Sequence, residues 1–235
     1  MTSHSETPLQ GGRTTAGVVK VGDTVRRPST ANSSFVRQLL HHLEASGFDG
    51  APLALGIDES GRDIFSYVEG EVPSDLSYFD DDVITQAARL IRRYHDITEN
   101  FVLTLGIGTD GIEVVCHNDL SPCNFVFRDR VPRAIIDFDA AQPGTRLHDL
   151  GYAAWLWLDI GSDGISAAEQ SRRVDLFSTA YGFSSSNDSG LIASILARQE
   201  ITSTRGLEIG NPAMTEWAEH CRAWTWHHIV ELQPH

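Results

Sequence analysis

The apolar and polar positions divide the chain into a β-rich part and a helical part. Val18-Val19-Lys20-Val21 and Thr24-Val25-Arg26-Arg27 are short β-rich runs on either side of Gly22-Asp23, the pattern of a hairpin. Pro28 ends the second run, because it has no N–H to give to a ladder. Phe35, Leu39, Leu40 and Leu43 recur at helical spacing behind Ser33 or Ser34, which predicts a capped helix to about Ala45 closed by Gly47. Leu53–Ile57 and Asp63–Val68 read as strands flanking the turn Asp58-Glu59-Ser60-Gly61. Residues 1–10 read as a loose leader.

Past Glu69-Gly70 the pattern changes. Asp80-Asp81-Asp82 stands where negative charge favours a helix start, and Val83, Ala87, Leu90, Ile91 and Tyr94 then share one face. Arg89, Arg92 and Arg93 fall on the solvated side. Glu113–Cys116 and Ala134–Asp137 are short β runs around a polar loop. From His148 onward the pattern is helical, with segments predicted at 150–158, 167–181, 191–204 and 214–232. A small antiparallel sheet carrying one helix, then a larger helical part, is an α+β arrangement. The division is expected at residue 70, with lobes 1–70 and 71–235. Nucleotide sites often lie between such lobes.

Composition narrows the class without choosing a function. The 235 residues allow one large domain or two small lobes, and no apolar run approaches the ~18 residues of a membrane helix. The polar first dozen residues carry no secretion signal, so a cytoplasmic location is expected. Three cysteines, an odd number without a CxxC pair, argue against a disulfide framework or a cysteine zinc site. A formal charge of −14 argues against binding nucleic acid and is compatible with a cationic small molecule. Acidic surfaces more often serve solubility alone.

The informative segment is His117-Asn118-Asp119-Leu120-Ser121-Pro122-Cys123-Asn124, which contains His-x-Asp-Leu-x-x-x-Asn, a kinase catalytic-loop pattern. Thirteen residues past Asn124, the apolar run Ile135-Ile136 ends in Asp137-Phe138-Asp139. Phosphoryl transfer calls for these residue types: one carboxylate to aim a hydroxyl and take its proton, and oxygen ligands for Mg²⁺ on the triphosphate.

At these residues the chain resembles the aminoglycoside phosphotransferase superfamily, which includes choline, ethanolamine and fructosamine kinases and has a protein-kinase-like bilobal fold. The resemblance implies Asp119 as catalytic base and Asn124 and Asp137 as metal ligands. It leaves Asp139 uncertain. His117 is implied to pack beneath the metal-binding loop, and Asp149, in His148-Asp149-Leu150-Gly151, to support the catalytic loop through hydrogen bonds. Upstream, Gly12–Val21 resembles a phosphate-covering hairpin in which Thr14 or Thr15 would touch phosphate. Ser66–Gly70 resembles a hinge whose Ser66 and Val68 backbone groups would face adenine. The resemblance covers roughly residues 10–158. It implies ATP or GTP as co-substrate, Mg²⁺, and a small-molecule hydroxyl acceptor such as an aminoglycoside, a choline-like amine or a sugar.

Two departures qualify it. Kinases place a strand Lys on the phosphates and pair it with a helix Glu. Here the expected strand is Thr24–Arg27, so Arg26 is the first substitute and Arg27 the second, and no Glu stands near Val36 or Arg37. The missing pair keeps a nucleotide-binding pseudokinase with a regulatory role as the alternative. A Cys–His hydrolase built on Cys123 and His117 is a remote third. The chain after Asp149 is also short, so the acceptor pocket is expected to be compact or completed by a partner subunit in a homodimer.

Overall fold

A computed structural model of the protein describes residues 5–9, 17–76, 78–106, 111–183 and 189–232. Strands β1 (Thr7–Pro8), β2 (Val19–Val21), β3 (Thr24–Arg27), β4 (Ala54–Ile57) and β5 (Asp63–Ser66) form an antiparallel sheet in the order β1-β2-β3-β5-β4. The expected hairpin is β2–β3, with Lys20 opposite Val25. The segment read as a loose leader instead contributes β1, an edge strand pairing with β2. Its Pro8 is tolerated at that edge, where a missing N–H costs no central ladder bond.

Helix α1 (Ser33–Ala45) lies on this sheet through Val36, Leu39, Leu40 and Leu43, the i, i+3, i+4, i+7 stripe of an amphipathic helix. Its N-cap position is Asn32 rather than Ser33 or Ser34. Ser33 uses its hydroxyl on the buried Asp63 of β5, and Arg37 on the next turn pairs with the same carboxylate. The connector after β5 is fastened by a two-way backbone bridge between Glu71 and Phe127, at 2.9 and 2.7 Å. Gly70 has φ +144°, and a Cβ there would sit 2.4 Å from the Phe127 carbonyl oxygen, so only glycine permits the approach.

The helical part is organised by α2 (Asp81–Thr104), which buries Ile84, Ala87, Ile91, Tyr94, His95 and Thr98 along one side. Next come β6 (Val114–Cys116), β7 (Phe125–Arg128), β8 (Val131–Ile135) and β9 (Gln142–Gly144). β6 pairs with β9 and β7 with β8, so the segment holds two small two-stranded ladders. Helices α3 (Arg146–Trp157), α4 (Ala167–Tyr181), α5 (Ser189–Glu208), α6 (Pro212–His227) and α7 (Ile229–Leu232) complete it. The single helix expected over 214–232 is two, separated at His228. α2 packs on α4 and β6, α3 on α5, and α5 on α6. Trp157 is fully buried and Trp155 nearly so, and both belong to this core. Among the described residues no helix is long and apolar enough to cross a membrane.

Candidate active site

The catalytic-loop motif leaves β6 at Cys116 and is held from below by one carboxylate. Asp149, fully buried on the first turns of α3, accepts the backbone N–H of His117 at 2.7 Å and of Asn118 at 2.8 Å, and the ring Nε2–H of His95 at 3.1 Å. Burial alone would push this carboxyl up. The hydrogen bond from His95, with the His117 N–H, outweighs it and holds Asp149 below the usual carboxylate range. Asn118 adopts φ +66°, a left-handed conformation that Asn tolerates better than most residues. Its side chain donates to Ala140 O at 2.8 Å, tying the loop to the segment after β8.

His117 lies under that segment. Its Nε2 donates to Ile136 O at 3.0 Å, its Nδ1 accepts from Asp119 N–H at 3.3 Å, and its ring meets Phe138 edge-on at 4.7 Å. Leu120 is buried, and its carbonyl accepts from Trp157 Nε1 at 3.1 Å. Asp119 is thus set between two anchored neighbours. Asn124 closes the loop: its Nδ2 donates to Asp119 O at 2.9 Å, and its carbonyl accepts from Ile136 N–H at 2.9 Å. Those bonds bring Asn124 beside the Asp137 turn, where φ +68° lets the chain leave β8 sharply.

Asp137 and Asp139 share one cation. Arg27 of β3 places its guanidinium 3.0 Å from Asp137 Oδ1 and also against Asp139 Oδ2. Arg26, the first substitute for the strand Lys, faces the other way, onto Thr24 and Asp58. The reason is strand alternation: Thr24 and Arg26 share one face of β3, Val25 and Arg27 the other. Lys20 is engaged elsewhere, 3.4 Å above the Tyr67 ring. Asn32, at the start of α1, donates to Asp139 O and Ala141 O at 2.9 and 3.0 Å and ties the sheet's helix to the same turn. The strand-Lys to helix-Glu pair of kinases is absent from β3 and α1, as the sequence indicated; a different pair joins α1 to the sheet, Arg37 with Asp63 of β5.

The remaining candidates lie farther out. Ser66 donates its N–H to Leu53 O at 3.0 Å and accepts from Leu53 N–H on its hydroxyl at 2.8 Å, so its backbone donor is committed to the sheet. Val68 stands in the connector. Thr14 and Thr15 lie outside the described residues. Tyr152, three residues past Asp149 and so on the same side of α3, stands near the Asp119 carboxylate. Burial and that carboxylate push the phenol well up, so it stays protonated. Arg198 of α5 lies 4.8 Å over the Tyr152 ring and donates to Asn118 O at 2.9 Å. Neither residue was legible as part of the motif, nor was Asn32.

The donor set suits a hard divalent cation. Asp137 and Asp139 offer carboxylate oxygens that already face a positive group, and Asn124 keeps its amide oxygen while its nitrogen is occupied. Among the described residues no cluster of three or more His, Cys, Asp or Glu forms a closed metal cage. Mg²⁺ is typically held by one or two carboxylates plus substrate phosphates.

Residues 108–182 match the family described as the phosphotransferase enzyme family. Over 95% of its length the chain is 31% identical to the trifolitoxin immunity protein of Rhizobium leguminosarum bv. trifolii, covering 95% of that protein. The chain belongs to the phosphotransferase enzyme family. Its members are small-molecule kinases acting on hydroxyl acceptors, with the α+β kinase-like fold that the motif implied. Solved structures with this fold include aminoglycoside 2'-phosphotransferase-IIIa with GDP (TM-score 0.60, 13% identity, 95% of this chain and 93% of that one). They also include a macrolide 2'-phosphotransferase from Brachybacterium faecium (0.56, 14%, 87% and 87%). Choline kinase from Cryptosporidium parvum Iowa II is a third (0.58, 12%, 91% and 84%).

Proposed function

We propose that this phosphotransferase moves the γ-phosphate of ATP or GTP, with Mg²⁺, to a hydroxyl of a small molecule such as an aminoglycoside, a choline-like amine or a sugar. The observation that carries the reading is the bonding of Asp119, Asn124 and Asp137 into one turn-and-loop unit that faces Arg27. Asp119 orients the acceptor hydroxyl and takes its proton, with Tyr152 beside that carboxylate. Asn124 and Asp137 hold the metal, with Asp139 beside them. Mg²⁺, when bound, offsets charge on the phosphate oxygens. Arg27, rather than Arg26, brings its fork of donors to the phosphates. The Val68 backbone and the Ser66 carbonyl meet the base, and phosphate contact is assigned to Thr14 or Thr15 on the sequence resemblance alone. Residues 1–70 then act as the nucleotide lobe and 71–235 as the lobe carrying the catalytic loop and acceptor site.

The protein works in the cytoplasm, on a soluble acceptor rather than on nucleic acid or a membrane. The relative named for immunity to a toxin suggests a protective role, in which the acceptor is a hydroxyl-bearing toxic compound. One observation favours a second reading, a nucleotide-binding pseudokinase: β3 has no Lys, and its Arg27 is already engaged by both carboxylates. Transfer of labelled γ-phosphate to a panel of aminoglycosides, choline-like amines and sugars separates the two. The enzyme reading expects Mg²⁺-dependent transfer that Asp119→Asn reduces by a factor of at least about 100, the low end for a positioned general base. Binding of nucleotide without transfer to any of these acceptors favours the pseudokinase.

A further inference from the structure

A continuous hydrogen-bonded chain enters the catalytic loop from the opposite side. Arg146, at the start of α3, is held at the surface by Glu99 at 2.9 Å and Asp96 at 3.0 Å, and its NH1 donates to the Tyr181 hydroxyl at 3.1 Å. That hydroxyl is 2.8 Å from His95 Nδ1, and His95 Nε2 is 3.1 Å from Asp149 Oδ2. Tyr181 and His95 are buried. With the imidazole neutral, the order of donors follows from the carboxylate end. An ionised Asp149 only accepts, so His95 carries its hydrogen on Nε2 and gives it to Asp149, whose oxygens also receive the His117 and Asn118 N–H groups. Its Nδ1 then accepts the single proton of the Tyr181 hydroxyl, whose oxygen accepts from Arg146.

We propose that His95, Tyr181 and Arg146 are positioning residues: a one-way relay from α2, α4 and the surface fixes the His95 ring and, through Asp149, the backbone that presents Asp119. None of the three touches the candidate catalytic residues. The amide and ring readouts below stand on the geometry alone, and the kinetic readout rests on the phosphotransferase reading. Tyr181→Phe keeps the ring and removes one link, and Arg146→Gln removes the charged donor at the surface.

The test is two-bond ¹H–¹⁵N correlation of the His95 ring, amide exchange at His117 and Asn118, and slow hydrolysis of Mg·ATP or Mg·GTP with water as acceptor. Wild-type His95 is expected as the Nε2–H tautomer. In Tyr181→Phe the Nδ1 resonance moves to that of an unbonded ring nitrogen while Asp149 keeps the hydrogen on Nε2, and exchange at the two amides rises about five-fold, the worth of one ordinary hydrogen bond. In Arg146→Gln the same two amides respond in the same direction and less strongly. In both variants kcat for hydrolysis falls while the nucleotide KM is unchanged. An unaltered Nδ1 resonance with unaltered exchange at His117 and Asn118 overturns the relay, as does exchange rising uniformly across α2, α3 and α4. If wild type hydrolyses neither nucleotide while the amides respond as described, the relay stands and the phosphotransferase reading fails.

Discussion

Replacing Asp149 by Asn exchanges one carboxylate oxygen for an NH₂ group and removes the charge under the catalytic loop. One oxygen remains to accept a backbone N–H. With that oxygen at the Oδ2 position, where His117 N–H and His95 Nε2–H both reach it, the new NH₂ faces the Asn118 N–H, so a bond now 2.8 Å long becomes a buried donor–donor contact. Bonds to a charged acceptor contribute about 1.5–3 kcal/mol each, and an orphaned buried donor costs about 1–3 kcal/mol. With the surviving bond also weakened to neutral strength, the loss is about 3–4 kcal/mol. For a chain of this size that is roughly 6–15 °C in Tm. Urea unfolding followed by tryptophan fluorescence measures it. The pH dependence gives a second check. Asp149 is held below its ordinary value in the folded protein, so its contribution is complete above about pH 4 and is lost as pH falls through the folded pKa. The gap between wild type and Asp149→Asn should be constant from pH 8 to about 6 and narrow below about pH 4. Equal stability at pH 7, or a gap undiminished at pH 3, refutes the assignment of an ionised carboxylate there.

Two further outcomes are expected. Arg27→Met leaves Asp137 and Asp139 without their shared cation; it should destabilise the metal-free protein by about 1–2 kcal/mol, as expected for a partly buried ion pair. Millimolar Mg²⁺ should then raise the Tm of the variant more than that of wild type, and equal metal responses would show that the guanidinium does not occupy a cation position. The thiols should be slow: burial pushes Cys116 far up and Cys221 up to about 11, so a disulfide reagent at pH 7 should modify only the half-buried Cys123 before unfolding. Fast modification of Cys116 or Cys221 would contradict this.

The loop and its companion Asp turn were legible because His117, Asp119, Leu120, Asn124 and Asp137 keep a fixed spacing that local bonds then realise. What stayed hidden depends on register and on contacts between distant elements. Whether Arg26 or Arg27 meets Asp137 depends on which face of β3 looks inward, and in a four-residue strand nothing local decides that. The absence of the strand Lys and helix Glu was legible, whereas the ion pair that does join α1 to the sheet, Arg37 with Asp63 of β5, was not, because its partners lie on elements with no fixed spacing. The β7–β8 hairpin escaped notice because its turn is Asp129-Arg130, both at positive φ, where Asn-Gly would have signalled it. The relay through Arg146, Tyr181 and His95 joins residues up to 86 positions apart, beyond any local pattern.

The most direct test of the central claim is thermal stabilisation by nucleotide. A ligand that binds the folded state raises Tm in proportion to the logarithm of its concentration over Kd. ATP or GTP should stabilise the wild type more with Mg²⁺ than without it, and Asp137→Ala should lose the metal-dependent part while keeping its fold. If neither nucleotide moves the Tm at millimolar concentration, or if Asp137→Ala responds to Mg²⁺ as wild type does, then Asp137 and its loop are not the nucleotide–metal site.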